Sequence, residues 1–312
     1  MTSVLKPPPS RRVAVVIPCL NEELTVGNVI DGFRAALPEA EIYVFDNNST
    51  DRTAEAARAR GATVIPEKRP GKGYVVQAML AKVDADYYLM VDGDDTYSAT
   101  GARDLLQPLL DQQADMTVGT RLEEHGRGSF RALHLFGNRL LTGIVNWVFG
   151  ARLTDMLSGY RGLTRELARS VAVLSSGFEV ETELTLRTLE GGFVIQECPL
   201  PYRERPAGSV SKLRTFRDGF RVARSIFDIA RTYRPLAFYG LIALAFSAAG
   251  LWAGWLVLVD YLEDFYVDRV PLAVLATGCM ILGFMSLTIG LLLNTVSARF
   301  REVTRLLRPR GL

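Results

Sequence analysis

Two long stretches near the C-terminal end of the chain contain no charged residue, and they restrict what this part of the sequence can fold into. Residues 236–259 form a run of 24 residues, and residues 271–296 form a run of 26 residues. Each run exceeds the roughly 20 apolar residues that an α-helix needs to cross the hydrocarbon core of a bilayer. The two runs therefore predict a pair of transmembrane helices or, as the alternative, a helical hairpin buried inside a soluble protein.

The charges around these two runs favour the membrane. The segment between them, residues 260–269, is short and mostly acidic, whereas the outer flanks are basic. Lysine and arginine collect on the cytoplasmic side of a membrane. We therefore expect a multi-pass protein of the cytoplasmic (inner) membrane, with a two-helix anchor at 235–297, a basic tail at 298–312 and both termini in the cytoplasm. The flanking arginines are Arg221, Arg224, Arg231, Arg234, Arg299, Arg301, Arg305, Arg308 and Arg310.

A basic amphipathic segment precedes the anchor. In residues 213–234, aromatic and aliphatic residues alternate with arginines. This pattern is typical of a juxtamembrane helix that lies in the lipid headgroup layer. Residues 133–149 are a second apolar stretch, for which contact with the bilayer and burial in a domain core stay equally open. The lipid bilayer is therefore one expected partner of this chain.

Composition argues against several other classes of protein. The chain carries 36 Lys and Arg against 34 Asp and Glu, and this balance argues against a nucleic-acid partner, because nucleic-acid-binding proteins are usually basic. Its three cysteines, Cys19, Cys198 and Cys279, have neither zinc-site nor disulfide-framework spacing. Residues 1–11 contain three consecutive prolines and no apolar run, so we expect a disordered tail and not a signal peptide.

The first two thirds of the chain alternate short apolar runs with longer helical patterns. Strands that alternate with helices of this length form right-handed βαβ units and a mostly parallel sheet. We therefore assign residues 12–212 to one α/β domain. The predicted strands are 13–18, 42–46, 62–66, 87–92 and 116–119, and the predicted helices are 22–37, 50–60 and 72–83.

Polar residues follow three of these strands. Asn21 and Glu22 come after the first, Asp46 ends the second, and Asp92 ends the fourth. Ligands of parallel sheets bind outside the carboxyl ends of the strands, so these positions predict one site. Within it, the carboxylates of Asp92 and Asp94 can hold one hard divalent cation, Mg²⁺ or Mn²⁺, through oxygen. The alternative for this pair is a solvated acidic turn, since Asp-Gly is common in turns.

Several short motifs occur in order along residues 12–215. They resemble those of the family 2 glycosyltransferases with the GT-A fold, a Rossmann-like, mostly parallel α/β catalytic domain, and in particular the polyprenyl-phosphate sugar synthases such as dolichol-phosphate mannose synthase. The resemblance implies a nucleotide-sugar donor, a polyprenyl phosphate acceptor and a possible homo-oligomer, dimer or tetramer. The motifs are Val16-Ile-Pro18, Asn21-Glu22, Asp46-Asn-Asn-Ser49, Asp51-Arg-Thr53, Gly71-Lys72-Gly73, Asp92-Gly-Asp94, Gly119-Thr-Arg121, Asp155-Met-Leu-Ser158-Gly-Tyr-Arg161, and Arg205 with Ser211-Lys212-Leu213.

The same resemblance implies roles for individual residues. The metal would be bound by Asp92 and Asp94, and Thr96 stands where relatives often carry Gln, so a third ligand at Thr96 stays open. The nucleotide sugar would be bound by Pro18, Asn21, Glu22, Asp46, Asn48, Lys72, Asp92 and Gly93. The acceptor phosphate would be bound by Arg121, Arg131, Ser158, Arg205 and Lys212. Catalysis would depend on Asp92, Asp94, Arg121, Arg131 and Arg205.

Some of these residues also have a purely structural interpretation. Asp46 can cap the helix that follows it, and Lys72 can be a loop charge between two glycines. Arg161 can brace Asp155 at the edge of the sheet. Glu181 can orient the acceptor, support an arginine, or favour the start of a helix through the helix dipole.

A lipid phosphate is an acceptor that suits this set of side chains. A hydroxyl acceptor needs a base to take its proton, whereas a phosphate oxygen is already anionic and needs cations that orient it. The expected reaction is an inverting, metal-dependent transfer of a hexose, with UDP-glucose as first guess, to undecaprenyl monophosphate at the cytoplasmic membrane face. The alternatives are addition of sugar to a growing polysaccharide or glycolipid, and a non-catalytic membrane scaffold.

Overall fold

The computed structural model describes residues 11–122, 129–175, 177, 179–201, 224, 227–229 and 231–307, and for residues 122, 129–136, 264 and 300–307 it describes the backbone only. The chain divides into two compact units. The first consists of Met1–Gly143 and Arg152–Arg214, and the second of Ile144–Ala151 and Thr215–Leu312. The predicted amphipathic helix at 213–234 lies largely outside the described residues.

A seven-stranded sheet forms the centre of the first unit. Its strands lie in the order β3-β2-β1-β4-β6-β5-β7, and β6 alone runs antiparallel to its neighbours. The prediction of a mostly parallel α/β sheet is therefore confirmed. The strands are β1 (Val13–Cys19), β2 (Glu41–Asp46), β3 (Thr63–Pro66), β4 (Tyr87–Met90), β5 (Met116–Leu122), β6 (Arg161–Thr164) and β7 (Ile195–Pro201).

Two apolar clusters cover the two faces of this sheet. Alternate residues of β1 point to opposite faces, so Val15 lies in one cluster and Val16 in the other. The first cluster contains Phe33 of α1, and the second contains Val76 of α3 and Leu184 of α7. The helices of this part of the chain are α1 (Val26–Ala36), α2 (Thr53–Ala59), α3 (Lys72–Lys82), α4 (Ala102–Leu110), α5 (Ser129–Phe149), α6 (Arg165–Ser170) and α7 (Val180–Glu190).

Strands β6 and β7 are not predicted by the sequence patterns. β6 has only four residues and begins with Arg161, whose side chain is fully buried although arginine normally marks a surface. β7 contains Pro199 and Pro201, which lack the amide hydrogen needed in a central strand. They are tolerated because β7 is an edge strand. The first helix begins at Val26 and not at residue 22, because the preceding residues form a turn.

Two long helices make up most of the second unit, α8 (Pro235–Asp264) and α9 (Val270–Leu307). Each is long and apolar enough to cross a membrane, with mean hydropathies of 2.0 and 2.1. Only 17% and 11% of their most apolar windows are buried, and large side chains such as Leu241, Trp252 and Phe284 point outward. This outward apolar surface does not fit the alternative of a hairpin buried in a soluble protein.

Small residues line the inside of this helix pair. Among the described side chains of residues 236–299, every buried one belongs to Ala or Gly. On α9 they recur every seven residues, at Ala276, Gly283 and Gly290, which is every two helical turns. A Cβ placed on Gly283 would lie 3.1 Å from the carbonyl oxygen of Ala243 on α8. The stripe of small residues therefore allows the two backbones to approach closely.

The last six residues of α5, from Ile144 to Phe149, belong to this second unit. Arg234, directly before α8, donates from Nε and Nη2 to the carbonyl oxygen of Val148 at 3.0 and 2.7 Å. Its guanidinium also lies 5.7 Å from the ring centre of Trp147. The rings of Phe149 and Tyr233 are 5.0 Å apart. Aromatic and basic residues at the start of an apolar helix are typical of the membrane–water interface.

Candidate active site

Hydrogen bonds join the loops that follow β1 and β2 at the carboxyl ends of these strands, where polar residues in the sequence predicted a site. Asn21 Oδ1 accepts from the amide of Thr50 at 2.8 Å, and the Asn21 amide donates to Ser49 Oγ at 3.0 Å. The amide of Glu22 donates to Thr53 Oγ1 at 2.8 Å. Asn21 and Glu22 thus hold the loop after β2 in a fixed position.

The loop after β2 is fixed at a second point by Asn47, for which the sequence motifs predicted no role. Its Nδ2 donates to the carbonyl oxygens of Glu67 and Arg69 at 3.0 and 2.7 Å, and its Oδ1 accepts from the amide of Gly71 at 2.8 Å. An amide side chain that is buried at a strand end can serve donors and acceptors at once. Asn47 therefore positions the segment that leads to Lys72.

Three residues implied for the nucleotide pocket lie around this loop. Asp46 Oδ1 accepts from the amide of Ser49 at 3.4 Å, so this carboxylate also supports the turn after β2. Asn48 has a left-handed φ of 63° and donates to the carbonyl oxygen of Lys68 at 3.0 Å. Pro18 is the penultimate residue of β1. All three lie at the same edge of the sheet, and their contact with a nucleotide stays a prediction.

Lys72 begins α3 and joins Asp92 to a carboxylate from another element. Its Nζ lies 2.5 Å from Asp92 Oδ1 and 2.6 Å from Glu181 Oε1, and the Lys72 and Glu181 side chains are only 11% and 5% exposed. Burial by itself lowers the pKa of Lys72, but the two carboxylates outweigh it and raise the pKa above its ordinary value. The interpretation of Lys72 as a solvated loop charge is therefore wrong, because its ammonium is a buried bridge.

Asp92 is packed between Lys72 and the loop that precedes β6. A Cβ added to Gly159 would collide with Asp92 Oδ2, so this close approach requires glycine. The amide of Gly159 donates to Tyr97 Oη at 3.1 Å. Burial, together with the nearby charge of Asp92, raises the pKa of Tyr97, so this phenol stays neutral. Asp92 therefore has a fixed orientation, in which Oδ1 forms an ion pair with the ammonium of Lys72.

Asp94 lies in a different environment from Asp92. It is buried, and its Oδ1 accepts from Oγ1 and the amide of Thr96 at 2.6 and 3.2 Å. Gly93 is fixed as well, because Thr25 Oγ1 donates to its carbonyl oxygen at 2.7 Å and a Cβ there would lie 2.5 Å from Cys19 Sγ. The hydroxyl of Thr96 thus orients Asp94, and its role as a third metal ligand stays a prediction.

Arg121, near the end of β5, forms a two-pronged ion pair with Asp155. Its Nε and Nη2 donate to Asp155 Oδ2 and Oδ1 at 2.8 and 3.0 Å, and Asn138 Nδ2 donates to Oδ1 at 3.2 Å. Burial raises the pKa of Asp155, but hydrogen bonding and the charge of Arg121 outweigh it, so the pKa lies below its ordinary value. The Arg121 side chain is 25% exposed. A phosphate at this edge would therefore meet a guanidinium that Asp155 already orients.

Two residues of the Asp155–Arg161 motif support the loop itself. Ser158 is fully buried, and its Oγ donates to the carbonyl oxygen of Gly119 at 2.6 Å. It has no exposed atom to offer a phosphate, which corrects the role implied by the resemblance. Arg161 is also fully buried and donates to the carbonyl oxygens of Ser158 and Met156 at 2.9 and 2.5 Å. It braces the backbone of the loop and not the carboxylate of Asp155.

Three implied phosphate-binding residues have no described side chain. Arg205 and Lys212 lie outside the described residues, and Arg131 is described only through its backbone in α5. Their contacts with phosphate stay predictions. The cationic groups that the structure does place near this sheet edge include Lys72, held by Asp92, and Arg121, held by Asp155.

The two carboxylates in the loop that follows β4 have the donor chemistry that a hard divalent cation requires. Asp92 and Asp94 supply oxygen atoms, which Mg²⁺ and Mn²⁺ prefer, and these ions complete their shells with water and substrate phosphate. The backbone between the two residues is fixed through Gly93. Asp94 is further oriented by hydrogen bonds from the neutral residue Thr96. These two aspartates are the residues that would hold such an ion.

Known proteins are similar in sequence to this chain over most of its length. The pattern described as "Glycosyl transferase family 2" matches residues 14–171. Glycosyltransferase AglJ of Haloferax volcanii is 32% identical over 291 residues, which cover 93% of this chain and 95% of that protein. A dolichyl-phosphate hexose transferase of the same organism is 33% identical over 218 residues, covering 70% of this chain and 93% of that protein.

A solved structure shares the fold. Glucosyl-3-phosphoglycerate synthase from Mycobacterium tuberculosis, in complex with Mn²⁺ and uridine-diphosphate-glucose, matches with a TM-score of 0.57 and 25% identity, covering 72% of this chain and 79% of that chain. The family match spans the strand ends, Asp92, Asp94 and Arg121 described above. The chain therefore belongs to glycosyl transferase family 2 and is a glycosyltransferase.

Proposed function

We propose that this glycosyltransferase transfers a hexose from a nucleoside-diphosphate sugar to a polyprenyl monophosphate. The observation that carries the proposal is the presence, in one chain, of the Asp92–Asp94 loop at the sheet edge and of two apolar helices of membrane-spanning length. A water-soluble acceptor requires no such anchor. A polyprenyl phosphate does, because its tail lies in the bilayer while its phosphate stays at the surface.

Two similar proteins support the choice of donor and acceptor. One relative is named a dolichyl-phosphate hexose transferase, and dolichyl phosphate is a polyprenyl phosphate. The M. tuberculosis synthase was solved with Mn²⁺ and uridine-diphosphate-glucose. We extend to this chain a polyprenyl phosphate acceptor, UDP-glucose as the first donor to test, and Mg²⁺ or Mn²⁺ as cofactor.

The proposed reaction is a single displacement at the anomeric carbon. A phosphate oxygen of the acceptor forms the new bond to this carbon from the face opposite the leaving group. The bond from the same carbon to the diphosphate breaks, and the nucleoside diphosphate leaves with the electron pair, so the configuration inverts. The attacking oxygen is already anionic and needs no protein base. The protein has to hold two anionic groups in line.

The charged residues of the site fit this task. Arg121, oriented by Asp155, presents the planar N–H groups that bind phosphate in pairs. The ammonium of Lys72 stays charged beside Asp92 and contributes to holding the departing diphosphate. Asp92 and Asp94 would hold the divalent cation, which when bound neutralises charge on the diphosphate. The proposal keeps as further phosphate-binding residues Arg131, Arg205 and Lys212.

We place the catalytic site and both termini on the cytoplasmic side of the membrane. The support is the basic outer flanks of the two apolar helices and the acidic segment 260–269 between them. Nucleotide sugars are made in the cytoplasm, so this orientation gives the site its donor. A dimer or tetramer is retained as a prediction, which chemical cross-linking in membranes checks.

The test uses the full chain, reconstituted in vesicles that contain undecaprenyl phosphate. Radiolabelled UDP-glucose, UDP-N-acetylglucosamine, UDP-galactose and GDP-mannose are supplied one at a time. We expect label in the organic phase with one donor, dependent on the acceptor and on Mg²⁺ or Mn²⁺ and abolished by a chelator. NMR of the product should show the anomeric configuration opposite to that of the donor.

Two other outcomes would contradict the proposal. Label found only in polymer would indicate a polysaccharide synthase. No label with any of the four donors would indicate a membrane scaffold with a transferase-like domain.

A further inference from the structure

Glu181 is a buried charged residue for which the proposed transfer has no direct use. It lies in the first turn of α7, and its Oε1 is 2.6 Å from Lys72 Nζ. Acidic residues in a first helical turn are favoured by the helix dipole, but that explanation does not require burial. The side chain of Glu181 is only 5% exposed, and a buried carboxylate is costly unless a cation compensates it.

Packing of the second apolar cluster brings Glu181 to this position. Val76 of α3, and Val180 and Leu184 of α7, belong to that cluster. Because Glu181 directly follows Val180, the contact between α3 and α7 places its carboxylate beside the start of α3. Lys72 occupies that first turn. The ion pair is therefore a consequence of how two helices pack on the sheet.

The charges around Lys72 come from four elements. Lys72 begins α3, Asp92 follows β4, Glu181 comes from α7, and Arg161 from β6 donates to neutral oxygen atoms of neighbouring residues. Paired with Asp92 alone, the ammonium of Lys72 would cancel the charge of that carboxylate. With Glu181 present, the four side chains together carry two negative and two positive charges, whereas without it they would carry one negative and two positive charges.

We propose that Glu181 is a positioning residue that shares Lys72 with Asp92 and so preserves the negative charge with which Asp92 attracts a divalent cation. The inference rests on the proposed function, because it assumes a nucleoside diphosphate and Mn²⁺ or Mg²⁺ at Asp92 and Asp94. Glu181 also holds Lys72 in place geometrically. An ammonium has three N–H groups, and with two of them on carboxylates the third has a defined direction.

The test is a double-mutant cycle on the full chain, with Mn²⁺ binding in the presence of UDP as the readout. The electron paramagnetic resonance signal of unbound Mn²⁺ measures this without turnover. Glu181→Gln should weaken Mn²⁺ binding about tenfold, the scale of one charge at this range. In a Lys72→Met background, Glu181→Gln should change Mn²⁺ binding less than about twofold, because Glu181 can then no longer act through Lys72. Glu190→Gln is the matched control on the same helix, since Glu190 pairs with Arg187 at the surface.

Each outcome decides the inference. If Glu181→Gln weakened Mn²⁺ binding equally with and without Lys72, Glu181 would act on the metal directly and the inference would be overturned. Unchanged Mn²⁺ binding in Glu181→Gln would overturn the inference as well. Should Glu181→Gln fail to fold, Glu181→Asp replaces it. That variant keeps the charge and should bind Mn²⁺ within about threefold of wild type, so a tenfold loss would overturn the inference. Wild-type chain that binds no Mn²⁺ with UDP would contradict the proposed function as well.

Discussion

The two units of this chain bury different kinds of polar and apolar residue. In the first unit, the charged side chains of Lys72, Glu181 and Arg161 lie inside, surrounded by apolar clusters. In the second unit, the buried side chains among the described residues 236–299 are Ala and Gly, and large apolar side chains such as Leu241 and Phe284 point outward. Water favours burial of apolar surface and tolerates inner charge only when it is paired. Lipid would accept the outward apolar surface of the two helices, and close packing would then hold them together.

This difference predicts which substitutions each unit tolerates least. In the first unit the damaging change removes one partner of a buried charge, because the other partner is left uncompensated. In the second unit the damaging change adds volume where two backbones approach each other. A variant at a buried site should therefore differ from a control variant that makes the same change elsewhere in the same unit.

The largest effect is expected at Asp94. Asp94→Asn keeps the shape and the acceptor oxygen for Thr96 but removes the charge. Transfer should fall about a thousandfold, while the thermal unfolding midpoint stays close to that of wild type. Asp95→Asn is the matched control, at a position with a φ of 59° that Asn tolerates, and should transfer sugar normally. If Asp94→Asn transferred sugar at the wild-type rate, Asp94 would be excluded as a metal ligand.

The next effect is expected at Lys72. Lys72→Met leaves Asp92 and Glu181 without their shared cation. The free energy of unfolding should fall by about 3 kcal/mol, seen as a lower thermal midpoint, and transfer should fall about a hundredfold. Lys82→Met makes the same change at the exposed end of the same helix and should alter neither. Equal midpoints for the two variants would mean that the buried bridge contributes nothing to stability.

A smaller effect is expected at Arg121. Lysine cannot reproduce the two parallel bonds to Asp155, so Arg121→Lys should lower transfer about tenfold, mainly through a higher KM for the acceptor phosphate. Arg103→Lys is the control, because Arg103 pairs with Glu39 on the surface. A change confined to kcat would argue that Arg121 does not bind the acceptor.

The Arg121–Asp155 pair also predicts a pH dependence of stability. The pKa of Asp155 lies below its ordinary value in the folded protein. Its contribution to stability is therefore complete above about pH 4 and is lost as the pH falls further through the folded-state pKa. Asp155→Asn should remove this part of the acid sensitivity, as measured by thermal midpoints between about pH 5 and 2. An unchanged acid profile would contradict the assignment.

The smallest effect on transfer is expected in the helix pair. Gly283→Leu would push α9 away from Ala243 and lower the stability of the pair in detergent by about 1–3 kcal/mol, with transfer reduced only about twofold. At Gly278 an added Cβ would meet nothing within 4 Å, so Gly278→Leu should behave like wild type. An equal loss of stability in Gly283→Leu and Gly278→Leu would contradict the conclusion that close packing at Gly283 holds the two helices together.

Much of the fold follows from local patterns, and the exceptions have physical causes. The predicted strands include β1, β2 and β4, because each is a short apolar run with polar residues at its end or just after it. β6 is missed because its first residue is a fully buried arginine that a sequence pattern assigns to the surface. Ser158 is misassigned for a related reason, since a hydroxyl near arginines suggests a phosphate ligand whether it points outward or inward.

The α/β domain, the loop with Asp92 and Asp94, and the two apolar helices could all be predicted from the amino-acid sequence. Periodicity and runs of apolar residues are local properties, so they can be recognised without knowledge of the tertiary contacts. The contacts between distant residues became visible in the folded structure alone: Lys72 between Asp92 and Glu181, Arg121 on Asp155, and small residues between α8 and α9. The partner of a buried charge depends on which helices the sheet brings side by side, and no local pattern contains that information.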